Sequence, residues 1–357
     1  MDEVKLSARL CPDAGASAPL MARGFIIMIF AAMLGACSDP PQRADADPVP
    51  PNVRNGLIAF PLHDAEGRQQ IHTIREDGTG VVQLTFEGNN AQPSWSPDGS
   101  QLLFTRRSVG LFVIDADGSN EYRLIDDATA DGADWGPDGQ IVYSAIPSPE
   151  VGRQLFVTHM LGHVRLQITF RDADHADAVH ASWGPQGEMV TYTRFEAQDP
   201  TGDDTSNGCP ALPVANDIWV VDPQGVETHK LTSADTFYNL DESDGIINSA
   251  FDANAPDWSQ VTDQIVFWSG QENCFGQVWR IDADGSNRVQ LTERPLPSHN
   301  DDPAWSPDGT KVMFNTDRDR EIALWVMNAD GSNEHRITAV SPGPLPGDGA
   351  WQPIPEP

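Results

Sequence analysis

The sequence predicts an all-β fold, a six-bladed β-propeller with four antiparallel strands in each blade. A tryptophan motif recurs six times at intervals of 40, 48, 75, 47 and 46 residues, and most copies continue into a tight turn and an alternating apolar run. Four-stranded units at a spacing of about 45 residues are typical of propellers. The strand that the first unit lacks stands at the C-terminal end, so the pattern also predicts a closed ring. The equivalent tryptophans are Trp95, Trp135, Trp183, Trp258, Trp305 and Trp351.

Residues 21–36 have the character of a bacterial signal peptide. Arg23 supplies a short positive region, and the apolar run Gly24–Ala36 has 13 residues, which is too short to span a bilayer comfortably. Residues 1–20 precede Met21 and carry acidic side chains. We therefore expect residues 1–20 to be a start-site artefact.

The apolar run ends in Leu-Gly-Ala-Cys at residues 34–37, which resembles the lipobox of bacterial lipoproteins. The resemblance implies cleavage before Cys37, lipidation of its thiol and acylation of the new N-terminus, and several acyl chains give lasting membrane attachment. The alternative is an ordinary secretory signal followed by an incidental cysteine. Residues 37–55 are rich in proline and aspartate, so we expect an extended tether after the lipidated cysteine. The predicted location is the cell envelope, at the outer membrane, facing the periplasm or the cell surface.

Each repeat unit accounts for four strands. In the clearest copy, strand a ends at Trp95, and Pro97-Asp98-Gly99 closes the a–b hairpin because Asp-Gly suits the positive φ of tight turns. Residues 101–105 are predicted as strand b, and residues 111–120 as strand c with a second Asp-Gly turn. Strand d ends near a Leu-Thr pair. The propeller is predicted over residues 56–357.

Both ends of this segment contribute to the first blade. Strands b, c and d of that blade are predicted at Gly56–Phe60, Ile71–Arg75 and Val81–Thr85, with no tryptophan strand before them. The segment around Trp351 supplies the missing strand a and then the chain stops. Such closure leaves no exposed strand edge at a seam.

The Trp-Ser-Pro-Asp-Gly and Asp-Ala-Asp-Gly-Ser-Asn signatures resemble the WD-like propeller repeats of the TolB family, over residues 56–353. The resemblance implies the propeller fold and an envelope role, since TolB is a periplasmic protein that works in a complex with a peptidoglycan-associated lipoprotein. The sequence departs from TolB in two respects. A tether takes the place of an N-terminal α/β domain, and the chain carries its own lipobox.

The charge of the chain limits its partners. The formal net charge is −31 and the pI is near 4.3, while 39% of the residues are hydrophobic, which is enough for a core. So acidic a chain is a poor match for nucleic-acid phosphates or for electrostatic docking on anionic lipid. We therefore expect no nucleic acid, membrane contact through the lipid anchor only, and a monomer. Serine-hydrolase, zincin and phosphate-loop motifs are missing from the propeller sequence. Their absence does not exclude an enzyme, because propeller active sites are assembled from several blades, but we favour a binding module.

Loops of the propeller predict where a ligand would bind. The d–a and b–c loops share one face around the central channel, and blade four has two long loops there, at residues 195–216 and 233–253. The residues three or four positions before each tryptophan should ring the channel mouth. Such a ring could bind a basic peptide or coordinate a divalent cation, or it could be a hydrated acidic funnel without a dedicated ligand. The channel-mouth candidates are Asp131, His180, Asn254, Asp301, Asp302 and Asp348.

Two cysteines fall in adjacent b–c loops on the same face, Cys209 in blade four and Cys274 in blade five. A disulfide is geometrically reasonable and would be allowed in an exported chain. The alternative is a pair of unrelated thiols.

Two classes of function follow from these observations. The first is a lipid-anchored envelope propeller that binds a protein or peptide through its loop-rich acidic face. The competing class is a polysaccharide-acting lyase or hydrolase, with His180 and the aspartates as acid/base groups or metal ligands. No cofactor is expected apart from the divalent cation that the mouth could hold.

Overall fold

Six four-stranded antiparallel sheets form the propeller in a computed structural model of the chain, which confirms the predicted fold class. The structure describes residues 53–148, 150–160, 164–171, 175–196, 216–226, 228–232, 252–271, 275–293, 298–319, 322–338 and 349–355. The predicted signal peptide, Cys37, Cys209, Cys274 and Asp348 lie outside these residues. In the described part no helix is long and apolar enough to cross a membrane.

The strands are β1 (Val53–His63), β2 (Gln69–Ile74), β3 (Val82–Gln83), β4 (Asn90–Trp95), β5 (Gln101–Arg106), β6 (Gly110–Asp115), β7 (Tyr122–Ile125), β8 (Asp131–Trp135), β9 (Gln140–Ala145), β10 (Gln154–His159), β11 (Leu166–Gln167), β12 (His175–Trp183), β13 (Val190–Glu196), β14 (Asn216–Val221), β15 (Thr228–Lys230), β16 (Asp252–Trp258), β17 (Gln264–Gln271), β18 (Phe275–Asp282), β19 (Val289–Gln290), β20 (Asn300–Trp305), β21 (Lys311–Thr316), β22 (Ala323–Asn328), β23 (His335–Arg336) and β24 (Ala350–Pro355). Two short 3₁₀ turns lie at Pro137–Gly139 and Pro185–Gly187.

Blades 2 to 6 each use four consecutive strands, and blade 1 uses both ends of the described chain. The order in blade 1 is β24-β1-β2-β3, so the C-terminal strand completes the first blade as the sequence predicts. Val53 pairs with Pro355 and Ile58 with Trp351 across this closure. Strand β1 begins three residues before the predicted start at Gly56, because its first residues pair with the end of β24.

The core is divided among the interfaces between neighbouring blades. Six clusters of buried side chains fill these interfaces, one for each pair of adjacent blades. Between blades 2 and 3, for example, Leu103 and Leu111 of one sheet pack with Trp135 and Tyr143 of the next. Sheets that are buried on both faces must be apolar on both faces, which explains the continuous apolar runs in the strand sequences.

The threonine that ends strand d has a definite structural role in five blades, where it follows leucine in blades 1, 4 and 5 and isoleucine in blades 3 and 6. The threonine hydroxyl accepts a hydrogen bond from a backbone N–H of strand c, at distances of 2.8 to 2.9 Å. In blade 5, Thr292 accepts from Val278 N and donates to Gln277 Oε1. The hydroxyl therefore replaces a strand partner where strand d has already ended.

Candidate ligand-binding site at the channel mouth

The first strands of all six blades enclose a central cavity of about 430 Å³. One end, here called the mouth, is lined by the residues three positions before the tryptophans of blades 2 to 6. The other end, called the turn end, lies beside the a–b hairpin turns at Pro97, Pro137 and Pro307. The mouth is therefore on the face that carries the d–a and b–c loops, as the sequence predicts.

A β-bulge in strand a places side chains at the mouth. In blades 2 to 6 the register of strand a against strand b shifts just before the tryptophan. The residue at the shift has a left-handed backbone in each of these blades. The φ angles are 53° at Gln92, 57° at Gly132, 51° at His180, 48° at Ala255 and 46° at Asp302. Bulges re-aim side chains in this way next to binding sites in many proteins.

His180 is held in one tautomer by its neighbour Asn254 in the next blade. Asn254 Oδ1 lies 2.9 Å from His180 Nδ1, 2.9 Å from Ala255 N and 3.0 Å from Thr193 Oγ1. Because a backbone N–H can only donate, the asparagine atom is the oxygen, and His180 Nδ1 must carry the proton that it donates. In the neutral imidazole Nε2 then has the lone pair, on a side chain that lines the cavity.

Two aspartates directly before tryptophans lie deeper in the channel. Asp134 Oδ2 accepts a hydrogen bond from Trp183 N at 2.8 Å, and its Oδ1 accepts one from the Ser94 hydroxyl at 2.8 Å. The same arrangement recurs two blades later. Asp257 accepts hydrogen bonds from Trp305 N at 2.7 Å and from the Ser182 hydroxyl at 3.2 Å.

These two carboxylates are enclosed by protein although each touches the cavity, and their electrostatics follow from that position. Burial raises the pKa of Asp134, against the lowering effect of the hydrogen bonds from Trp183 N and Ser94. Burial also raises the pKa of Asp257, to about 7, and the negative charge of Asp134 adds to the rise. The Trp305 N–H and the Ser182 hydroxyl lower the pKa of Asp257 in part.

All the charged side chains that line the cavity are acidic. The lining contains Asp134, Asp257 and Asp302, together with His180, and it includes no lysine or arginine among the residues that the structure describes. The remaining wall is formed largely by alanine, proline and tryptophan. The channel therefore favours an occupant that is neutral or positively charged.

The sequence-predicted candidates fall into three groups in the structure. His180 and Asp302 line the cavity. Asp131, Asn254 and Asp301 lie behind the rim and do not line it. Asp131 Oδ2 is 3.7 Å from Arg153 Nη2, and Asn254 supports His180. Asp348 falls outside the described residues.

Sequence reasoning missed the polar residues directly before the tryptophans. Going around the ring from blade 2, this position holds Ser94, Asp134, Ser182, Asp257, Ala304 and Ala350. The alternation of serine and aspartate was a signal for paired hydrogen bonds between blades, but only the fold shows that consecutive copies of the motif lie side by side.

A divalent cation at the mouth stays a prediction. Within the described residues no group of three His, Cys, Asp or Glu side chains lies close enough to hold a metal ion.

No protein-family model matches the chain. An uncharacterised protein of Agrobacterium fabrum is 29% identical over 100 residues, which is 28% of this chain and 31% of that protein. The matched stretch therefore spans about a third of the length of this relative.

Solved structures show a clearer likeness. TolB from Acinetobacter baumannii superimposes with a TM-score of 0.62 at 17% identity, over 83% of this chain and 66% of that one. A TolB-type protein of Agrobacterium tumefaciens gives a TM-score of 0.54 at 18% identity, over 85% of this chain and 99% of that one. Hydrazine synthase of Kuenenia stuttgartiensis gives 0.61 at 12% identity, over 86% and 47%. At identities of 12 to 18%, the structural similarity shows a shared fold only. The same fold occurs in proteins with unrelated activities. The chain therefore has a six-bladed β-propeller fold similar to that of the TolB structures.

Proposed function

We propose that the chain is a lipid-anchored scaffold of the cell envelope that binds a protein or peptide partner at the mouth of its channel. The observation that carries the proposal is the central cavity, which is bounded by all six blades and is ringed by side chains at the bulges of strand a. Among the described residues that line it, the aspartates supply charge and no lysine or arginine is present. Concave sites with a few convergent polar groups are the usual binding sites of proteins. Because the bulge recurs in blades 2 to 6, the side chains at the mouth can differ without a change of fold.

The envelope location is supported by the sequence around Cys37. The short apolar run followed by Leu-Gly-Ala-Cys and the resemblance of the repeats to TolB both favour export and anchoring. The position of Val53 is compatible with a tether, since Asn55 Oδ1 accepts a hydrogen bond from Asp308 N in an a–b turn. Val53 itself lies at the turn end of the propeller, opposite the mouth.

The binding proposal is tested by photo-crosslinking of the full chain in its native envelope. The probe residue replaces Ala128, which is exposed in the d–a loop between blades 2 and 3 on the mouth face. A matched probe replaces Pro97, which is exposed at the turn end and whose counterpart in blade 5 is Gln260, so proline is not required there. We expect one dominant adduct from position 128 and none from position 97.

Equal adducts from both positions, or none from either, would refute the binding of a protein partner at the mouth. Purified polysaccharides incubated with the wild-type chain and with His180→Ala would then test the enzymatic alternative.

The lipid anchor is tested separately, by mass spectrometry of the N-terminal peptide of the mature chain. Acyl chains on Cys37 that are lost in Cys37→Ser would establish it, and an unmodified cysteine would refute it.

A further inference from the structure

We propose that the cavity binds a primary ammonium group, which a partner supplies either from a lysine side chain or from its amino terminus. The inference names the chemistry of the partner and thus rests on the proposed function. The cavity lining carries three aspartates, Asp134, Asp257 and Asp302, and none of the described residues in it is a lysine or an arginine. A cation in this low-dielectric enclosure would gain far more than a cation on the open surface.

His180 adds an imidazole nitrogen to this negative wall. Its Nδ1 proton is committed to Asn254 Oδ1, as the contact of that oxygen with Ala255 N requires. The lone pair of Nε2 is then available to accept a hydrogen bond from a donor group in the cavity. His180 lies at the bulge of strand β12, where its φ is 51°, and its side chain lines the cavity.

The geometry of the carboxylates favours ammonium over guanidinium. Arginine binds best to a carboxylate that offers both oxygens side by side. Asp134 and Asp257 each use one oxygen for a tryptophan backbone N–H and the other for a serine hydroxyl. An ammonium group is compact and donates three hydrogen bonds in diverging directions, which suits single acceptors that belong to different blades.

The raised pKa values of the two deep aspartates are consistent with this arrangement. Burial raises the pKa of both groups, and the charge of Asp134 raises that of Asp257 further. A cation between them would offset the repulsion and stabilise both in the ionised form.

Calorimetric titration of the full chain in mild detergent tests the proposal with four capped tripeptides. Acetyl-trilysine amide offers side-chain ammonium groups only, and trialanine amide offers an amino terminus only. Acetyl-triarginine amide offers guanidinium, and acetyl-trialanine amide is neutral. We expect saturable one-to-one binding of one or both ammonium peptides, with at least tenfold weaker binding of the arginine peptide and none of the neutral one. The peptide that binds identifies the source of the ammonium group.

Two variants locate the site, and one controls for net charge. His180→Ala removes the Nε2 acceptor and is compatible with the fold, because Ala255 occupies the equivalent left-handed position in blade 5. Asp302→Asn removes one charge from the rim, and asparagine tolerates a left-handed backbone. Glu87→Gln removes one exposed charge outside the cavity. We expect each rim variant to weaken binding about tenfold or more and Glu87→Gln to leave it unchanged.

Weak, non-saturating binding that all three variants alter equally would show attraction to the acidic surface alone and would overturn the inference. Preferential binding of the arginine peptide would overturn it as well. Either result is compatible with a crosslinked partner at position 128, so the inference can fail while the proposed function stands. A missing crosslink together with specific lysine binding would refute only the protein partner.

Discussion

At the scale of single residues, the position before each tryptophan decides how one blade is joined to the next. Ser94 Oγ accepts a hydrogen bond from Trp135 N, and Asp134 accepts one from Trp183 N, so each side chain satisfies a backbone donor of the following blade. Between blades 1 and 2 the contact differs, since Trp95 Nε1 donates to Ala350 O at 3.2 Å. Serine or aspartate in this position therefore connects each of blades 2 to 5 to the blade that follows it. Alanine holds the position in blades 6 and 1, and its side chain can accept no hydrogen bond from the next blade.

The substitution Asp257→Asn tests how the buried carboxyl group of Asp257 affects the stability of the fold at different pH values. The pKa of Asp257 is raised from 3.8 to about 7, so its contribution to stability is fully present below pH 3.8 and is lost as the pH rises through 7. Asparagine cannot ionise, and its amide oxygen can still accept from Trp305 N. We expect the free energy of unfolding of the variant, relative to wild type, to increase by roughly 1 kcal/mol per pH unit between pH 5 and 7.

Urea unfolding at a series of pH values measures this difference. The exposed-residue variant Glu87→Gln should follow the wild-type curve within about 0.5 kcal/mol. A constant difference between Asp257→Asn and wild type across this range would contradict the raised pKa.

At the scale of elements, the aspartates of the hairpin turns have the opposite pH dependence. In the a–b turn of blade 2, Asp98 Oδ1 accepts from the Ser96 hydroxyl and from Ser100 N. Hydrogen bonds from Ser96 and Ser100 N lower the pKa of Asp98, and equivalent bonds lower those of Asp117 and Asp330. Their contribution is present above the ordinary pKa of 3.8 and is lost as the pH falls through the lowered values, so a part of the large negative charge stabilises turns.

The threonine at the end of strand d gives a second prediction at this scale. Thr292→Val keeps the shape of a fully buried side chain but removes the acceptor for Val278 N. An unpaired buried N–H costs about 1 to 3 kcal/mol. We expect a loss of that size in urea unfolding, whereas Thr228→Val on the exposed strand β15 should change stability by less than about 0.5 kcal/mol. Equal effects of the two substitutions would show that the hydroxyl has no such role.

At the scale of the whole molecule, closure of the ring depends on close contacts between β24 and its neighbours. Gln352 Nε2 donates to Gly99 O at 2.7 Å, and Gln352 Oε1 accepts from Leu57 N at 3.2 Å. A Cβ atom added to Gly99 would lie 2.1 Å from Pro353 O. The a–b turn of blade 2 therefore needs glycine both for its backbone angle, φ 67°, and for the approach of the closing strand.

Gly99→Ala should consequently disrupt closure. Gly67→Ala is the matched control, because Gly67 also has a left-handed backbone, φ 77°, but no atom lies within 4 Å of its added Cβ. We expect the control to lose about 1 to 2 kcal/mol from backbone strain alone, and Gly99→Ala to lose clearly more. Faster amide exchange confined to β1 and β24 in Gly99→Ala would confirm the reason, and equal losses in both variants would exclude it.

The fold could be predicted from the sequence because the motifs that specify its strands and turns are short and recur in each repeat unit. Turn residues such as Asp98-Gly99 and the Leu-Thr pairs recur in the same order in unit after unit, and Trp351 stands where the first unit needs a strand. The ring of mouth residues could be predicted from the topology. The bulge that turns His180 and Asp302 toward the cavity, while Asp131 and Asn254 lie behind it, depends on the register between strands. The bonds made by Asp134 and Asp257 depend on contacts between blades, which no local pattern specifies.

The closure of blade 1 also has a mechanical consequence. Strand β1 lies between β24 and β2, antiparallel to both, and begins at Val53 on the face opposite the mouth. Backbone hydrogen bonds in such pairs run across the strand direction. If a tether pulls on Val53 while a partner holds the mouth, the force acts along β1 and loads the bonds to both neighbouring strands together. A pull that separates Val53 from Pro355 would instead break the pairs one after another. We therefore expect the propeller to resist tension between Val53 and the mouth better than tension that separates Val53 from Pro355.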